Sequence, residues 1–249
     1  MMFDFWAKTS GTWINVALVL VGSGLGLLLR NQLSKQMQIV ITQAVGLTTI
    51  AIGVIMSGAL SEASAGQIDG IILALVSLVL GGLLGEWLQI EDRLTRSGNW
   101  LKVRFGGGGR FTEGFVAASL LFCIGPMAIL GSLNNGLLND STILVVKGTM
   151  DGLVSIALTG TYGIGVVFSV LPVILYQGGL SLAASFLGYS IPDPATSPSV
   201  LLITGTGGIM ILGLGINLLE IKAIRVASFL PALILCPLAS AFARWLLPL

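Results

Sequence analysis

Apolar positions along this chain come in long unbroken runs, with neither the alternation of a half-buried strand nor the narrow stripe of a surface helix. The runs Thr12–Leu29, Ile39–Leu60, Ile68–Ile90, Phe115–Leu138, Val200–Leu219 and Val226–Leu247 are each near the ~20 residues a helix needs to cross hydrocarbon. The stretch Ile143–Leu187 is about twice that length. Its glycine cluster Gly160, Gly163 and Gly165 is the natural break, so it predicts two crossings. The pattern therefore predicts an all-α integral membrane protein of about eight transmembrane helices. Met1–Ser10 is predicted as an amphipathic lead-in with Phe3, Phe5 and Trp6 at the interface. Gly188–Ser199, with Pro192, Pro194 and Pro198, is predicted as a loop.

Composition removes the soluble alternative. Of 249 residues 55% are hydrophobic and 9% charged, against about 25% charged in ordinary soluble domains, and the mean hydropathy is +0.98. A net charge of +1 gives no reason to expect a nucleic-acid partner; the bilayer is the partner that composition demands. There is no histidine, and Cys123 and Cys236 sit in apolar runs without a metal-binding spacing. No metal or cofactor is expected, and without a nucleophile–base pairing neither is an enzyme.

The placement of charge sets an orientation. One long hydrophilic connection, Glu91–Glu113, holds Arg93, Arg96, Lys102, Arg104 and Arg110 beside the run Gly106–Gly109. Consecutive glycines favour a flexible linker, and no G-K-[ST] follows to make it a phosphate loop. With Arg30, Lys35, Lys222 and Arg225 it falls on one side, while Glu62, Asp140 and Asp193 fall on the other. Basic residues mark the cytoplasmic side, which places both termini outside.

Overlaying the chain on itself suggests an internal repeat. The run from Asn15 overlays on that from Pro172, so that Gly22 meets Gly179. Gly46 and Gly53 fall on Gly208 and Gly215, and Gly81, Gly82 and Trp87 on Ala239, Ser240 and Trp245. Spans one to three would then match spans six to eight in inverted topology around central spans four and five. The corresponding organisation is a single transmembrane domain: residues 1–90 a first repeat, 91–113 a cytoplasmic basic linker, 114–165 the central spans and 166–249 a second repeat.

Polar groups inside the apolar runs are the candidates for a pathway. Lys147 and Asp151 are four residues apart, on one helix face. Ionised groups in hydrocarbon cost roughly 2.5–3.5 kcal/mol each on insertion scales, so they need protein or water around them. Asn15, Thr48, Thr49, Asn134, Asn135, Ser155, Gln177 and Asn217 are weaker candidates, because amides and hydroxyls also join spans by hydrogen bonds. Gly148 and Gly152 flank the carboxylate and permit either close helix approach or local unwinding. Gly125-Pro126 and Pro172 are candidate helix breaks. Gly22-x-x-x-Gly26 and Gly81-x-x-x-Gly85 are small-residue faces for internal packing or a homo-oligomer.

With these segments in view the chain resembles the DUF554 family of bacterial membrane proteins over essentially its whole length. The resemblance is carried by Cys123-Ile124-Gly125-Pro126-Met127-Ala128-Ile129-Leu130-Gly131-Ser132, by Lys147 through Asp151-Gly152 to Ser155, and by Phe168–Pro172 with Tyr176-Gln177-Gly178. Gly215-Ile216-Asn217-Leu218 and Leu230-Pro231-Ala232 also match. The chain departs at Asn135, where the family's acidic residue is expected before Gly136, and at Ser228, where an Asn is expected. The resemblance implies a multi-pass protein of the bacterial inner (plasma) membrane, often labelled a transport protein, and implies no substrate.

The leading expectation is a secondary transporter or permease for a small solute or ion. Asp151 would be its binding or coupling carboxylate, with Lys147, Ser155, Asn134, Asn135, Gln177, Asn217 and Asn15 as further candidates for binding. The alternatives are an ion or small-solute channel, favoured by the many glycines, and a membrane scaffold acting through the basic linker.

Overall fold

The computed structural model describes residues 5–30, 32–65, 68–187 and 198–246, and nearly all of them are helical. In chain order the helices are α1 (Phe5–Arg30), α2 (Lys35–Ser57), α3 (Gly70–Trp87), α4 (Ile90–Arg104), α5 (Phe111–Cys123), α6 (Pro126–Leu138) and α7 (Thr142–Tyr162). A 3-10 segment (Ile164–Ser169), the single turn α8 (Val170–Val173), a π-helical turn (Ile174–Gly178) and α9 (Gly179–Leu187) follow. The chain continues through α10 (Pro198–Leu218), a 3-10 turn (Val226–Phe229) and α11 (Ala232–Leu246). A two-residue hairpin, β1 (Ser64–Ala65) with β2 (Ile68–Asp69), precedes α3.

Among the described residues six helices are long and apolar enough to cross a membrane: Phe5–Arg30, Lys35–Ser61, Gly70–Trp87, Thr142–Tyr162, Ile164–Phe186 and Pro198–Leu218. Counting α5 and α6 as one broken span makes seven, and Val226–Phe242 is a shorter apolar helix.

The distribution of side chains along α3 is inside-out relative to a soluble helix. Gly70, Ala74, Ser77, Gly81 and Gly85 face inward with a single large residue, Leu73, while Ile71, Ile72, Leu75, Val79, Leu80 and Leu83 are exposed. Small inward residues let backbones approach closely where lipid already solvates the large ones.

Two compact units make up the chain, Met1–Val45 with Thr95–Ser190 and Gly46–Leu94 with Ile191–Leu249. The first is organised on α1 and α7, which run parallel. Gly11 lies against Leu144, Gly148 against Asn15, Gly22 against the Gly152 carbonyl and Gly26 against the Ile156 carbonyl. Partner numbers rise together along both helices, as a parallel pair requires. The second unit pairs α2 with α10 in the opposite sense. Gly46 meets Leu219 and Gly215, while Gly53 meets Leu212 and Gly208. It also pairs α3 with α11, where Gly81 meets Ala232 and Gly85 meets the Ser228 backbone. Its core holds Leu60, Leu73, Ala74, Leu202 and Cys236. At one end Arg225 bridges Glu86 (2.9 Å) and Asp92 (3.1 Å), and Glu91 Oε2 accepts the Ala227 N–H (2.8 Å).

Several expectations change. The run Phe115–Leu138 is not one straight helix: α5 and α6 are bent by 60° at Ile124-Gly125. Gly125 sits at φ 152 and Pro126 opens α6, so the chain takes a left-handed glycine conformation where proline has removed a backbone donor. The connection Glu91–Glu113 is mostly helix α4, with the glycines confined to the turn after it. An amphipathic stretch followed by a glycine run looks polar throughout in a hydropathy window, which hid the helix. Phe5–Ser10 belongs to α1, without a separate lead-in, and Ile68-Asp69 is hairpin, so the third span begins at Gly70. No unwinding occurs at Asp151; α7 is continuous, and Gly148 and Gly152 serve the approach of α1. The break after Tyr162 falls where expected, at Gly163 with φ 82. The proline-rich loop around Pro192 and Pro194 lies outside the described residues.

Candidate functional site

The charged pair lies within the first unit, on the face of α7 that packs on α1. Helical spacing puts Lys147 one turn before Asp151, and the ammonium reaches Asp151 Oδ2 directly. That oxygen also accepts from Asn15 Nδ2 on α1 at 3.1 Å. Asn15 Nδ2 donates in addition to Gln177 Oε1 at 3.1 Å, in the π-helical turn. Lys147, Asp151, Asn15 and Gln177, all marked in the sequence, thus form one chain of contacts across three elements.

Burial within this cluster is uneven. Asn15 and Gln177 are fully buried, whereas 7% of the Lys147 side chain and 11% of the Asp151 side chain remain exposed. The ion pair is thus nearly buried, and the two amides are sealed completely. The pair is neutral as a unit, and the mutual attraction of its members offsets part of the cost of taking both out of water.

Hydrogen-bonding capacity is left over. Asn15 Oδ1 and Gln177 Nε2 are buried and have no partner among the described residues, and the second Asp151 oxygen accepts no hydrogen bond from them. An acceptor, a donor and a carboxylate oxygen thus have capacity to spare on linked residues. Buried polar groups without partners cost about 1–3 kcal/mol each. The other orphaned buried atoms among the described residues, such as those of Ser77 and Ser132, are single hydroxyls, whereas Asn15 Oδ1 and Gln177 Nε2 belong to linked amides that also hold the carboxylate. Thr12 Oγ1, one turn before Asn15, and Ser181 Oγ, one turn after Gln177, are in the same condition. Both escaped the sequence reading; helical spacing from Asn15 was the available signal for Thr12, whereas the π turn at Gln177 spoils that signal for Ser181.

The surrounding backbone is irregular on two sides. The π turn holds Gln177 itself. The broken span α5–α6 packs on α7, the helix that carries the pair. π turns and broken helices in membrane proteins recur at functional sites.

Of the other predicted residues, Ser155, Asn135 and Asn217 make hydrogen bonds outside this cluster. Ser155 donates to the Val19 (3.2 Å) and Gly152 (2.8 Å) carbonyls, joining α7 to α1. Asn135 accepts from the Gly11 N–H (2.9 Å) and donates to the Ala7 carbonyl (3.0 Å) and Ser10 Oγ (3.1 Å), so its amide is used to clamp the start of α1. Asn134 is half-buried on α6. Asn217 lies in the second unit, where its amide exchanges two bonds with the Ile224 backbone (2.7 and 2.8 Å) and closes the turn after α10.

Apolar spans with outward-facing large residues and an internal charged pair define a polytopic α-helical membrane protein. The chain belongs to the DUF554 family, described as a protein of unknown function, which matches residues 10–241. It is similar to the uncharacterized membrane protein YdfK of Bacillus subtilis (strain 168), with 32% identity over 227 residues covering 91% of this chain and 93% of the relative. It is also similar to the uncharacterized protein YqgA of Escherichia coli (strain K12), with 28% identity over 243 residues covering 94% and 98%. No solved structure matches the chain.

Proposed function

We propose that the protein is a secondary transporter for a small polar solute or ion, with Asp151 as its binding or coupling carboxylate. One observation carries this reading: the contiguous cluster of Lys147, Asp151, Asn15 and Gln177 keeps unused donor and acceptor capacity deep in an apolar bundle. A network present only to join helices would spend that capacity internally, as Asn135 does. The broken span α5–α6 and the π turn beside the cluster add to it, since discontinuous helices are a common way to build transporter sites.

The topology that goes with this function is eight crossings in inverted repeats. The parallel course of α1 and α7 supports it, because parallel spans need an odd number of crossings between them. α2, α3 and the α5–α6 pair supply three. The glycine contacts of α2 and α10 support the repeat. Exchanging Gly46 for Gly208 and Gly53 for Gly215, as the overlay does, turns the Gly46–Gly215 contact into the Gly208–Gly53 contact. In the same way the Gly81–Ala232 contact has its counterpart in Ala239 packed on the cluster that contains Ala74. Cytoplasmic basic residues would put both termini outside.

The test is reconstitution of the full chain in liposomes on a solid-supported membrane, with concentration jumps of H⁺, Na⁺, K⁺, amino acids and small carboxylic acids. A saturable transient current is expected for at least one of these. The doubly neutral variant Lys147→Met with Asp151→Asn, which leaves no unpaired charge, should give none. Undiminished current in that variant removes Asp151 from the mechanism, and unitary steps in a planar bilayer would replace a carrier by a channel.

A further inference from the structure

We infer that the C-terminal half of α4 is a docking surface for anionic phospholipid, with Arg96, Lys102 and Arg104 at the phosphates and Trp100 and Val103 in the headgroup boundary. This concerns a different part of the first unit from the charged pair and does not depend on transport.

The inner edge of this half-helix is fixed. Gly98 and Leu101 are buried, and Gly98 lies against Phe115. Thr112 Oγ1 donates to Asn99 Oδ1 at 2.7 Å. The Phe105 ring sits 4.7 Å from that of Phe168. The opposite edge carries Arg96, Trp100, Val103 and Arg104, which recur at intervals of three and four and so form one stripe. On it Trp100 is 65% exposed and Val103 84%. Large apolar side chains set outward between arginines on a helix too polar to cross the membrane are the pattern of a helix lying in the interface.

The height of the stripe along the bundle agrees. Arg30, the last residue of α1, packs against Gly163 at the end of α7 and lies 3.8 Å from the Cβ position of Gly109. The Arg110 guanidinium stands 4.6 Å over the Tyr162 ring. The turn after α4 is therefore level with the ends of two spans. Leu28, 73% exposed, and Leu29 carry lipid-facing surface up to that level.

Charge selects the kind of lipid. From Thr95 to Arg110 every charged residue is basic. Lys102 Nζ donates to the Gly109 carbonyl (3.1 Å) and keeps two further donors. Asp92, one turn before Arg96, is held by Arg225 (3.1 Å), and Glu113 is paired with Arg110. A zwitterionic headgroup offers such a surface no net attraction. An anionic one does, at roughly fivefold in occupancy per basic residue near the surface.

The full chain in nanodiscs of equal phosphatidylcholine and phosphatidylglycerol, released for native mass spectrometry, tests this. The wild type should retain phosphatidylglycerol about fivefold or more over phosphatidylcholine. Arg96→Gln/Lys102→Gln/Arg104→Gln, checked by circular dichroism and gel filtration, should bring the ratio close to one. Excess inorganic phosphate should not compete. A ratio near one in the wild type, an unchanged ratio in the triple variant, or displacement by phosphate would each overturn the proposal. Should the triple variant not fold, fluorescence decides, taking the quenching lost in Trp100→Phe as the Trp100 signal. Stronger quenching by brominated phosphatidylglycerol than by brominated phosphatidylcholine supports the assignment, and equal quenching overturns it.

Discussion

Asn15 and Gln177 are joined by a 3.1 Å hydrogen bond between two buried side-chain amides, one on α1 and one in a π-helical turn. The same Asn15 nitrogen holds Asp151. This single amide links the span that carries the ion pair to the irregular span.

The ion pair should behave as a unit. Removing one partner of a buried pair costs about 3–5 kcal/mol, whereas removing both costs far less. Lys147→Met and Asp151→Asn should each lower the thermal midpoint in detergent strongly, and the double variant should recover most of the loss. Additive losses would show that the two side chains do not share one interaction.

Gly22 and Gly24 separate packing from propensity. A Cβ at Gly22 would enter the Gly152 carbonyl, while one at Gly24 would meet nothing within 4 Å. Gly22→Ala should cost about 1–3 kcal/mol by overpacking. Gly24→Ala should be neutral or slightly stabilising, since Ala is the better helix former by about 1 kcal/mol. Thermal midpoints of the two variants, compared side by side, check this.

At the break in the α5–α6 span, Gly125 holds a backbone conformation that L side chains avoid, in open space. Gly125→Ala should therefore cost about 1–3 kcal/mol through backbone strain alone. Gly108→Ala, also in open space but without a positive φ, is the control and should change little. Equal effects in urea or thermal titration would contradict the reading of the break.

Burial pushes the Glu91 carboxyl above its ordinary value, outweighing the opposing Ala227 hydrogen bond and the Arg225 charge. With the folded-state value raised, the protonated form is favoured by folding. The stability contribution is complete below the ordinary glutamate value and is lost as pH rises through the raised one. The wild type should thus gain stability relative to Glu91→Gln as the pH is lowered from 7 toward 4.5. The difference between their thermal midpoints across that range is the measurement; a flat difference would mean that Glu91 titrates normally.

What the residue pattern disclosed was whatever is local. The apolar runs located the long helices, Gly163 marked a real break, and the i, i+4 spacing of Lys147 and Asp151 by itself placed both on one face. What it concealed depends on partners far away in the chain. Nothing near Asn135 indicates that its amide would clamp Ala7, Ser10 and Gly11, so it stood among the binding candidates beside Gln177. Helix α4 was hidden because its polarity matched that of the glycine turn beside it. Only the fold shows that Gly98 and Leu101 point one way and Trp100 and Val103 the other. The 60° bend was half legible: Gly125-Pro126 marked where a helix would falter, but not how far its two parts would turn.

The π turn at Ile174–Gly178 fits one more residue into its loop than an α-helical turn would hold. Each extra residue swings the downstream side chains by about 100° relative to a straight helix. A helical wheel drawn from Val170 through Phe186 as one cylinder would therefore set Ser181 and Ala184 on the wrong flank. Any scan of this span by successive substitutions should be plotted on two wheels, one for each side of Gln177.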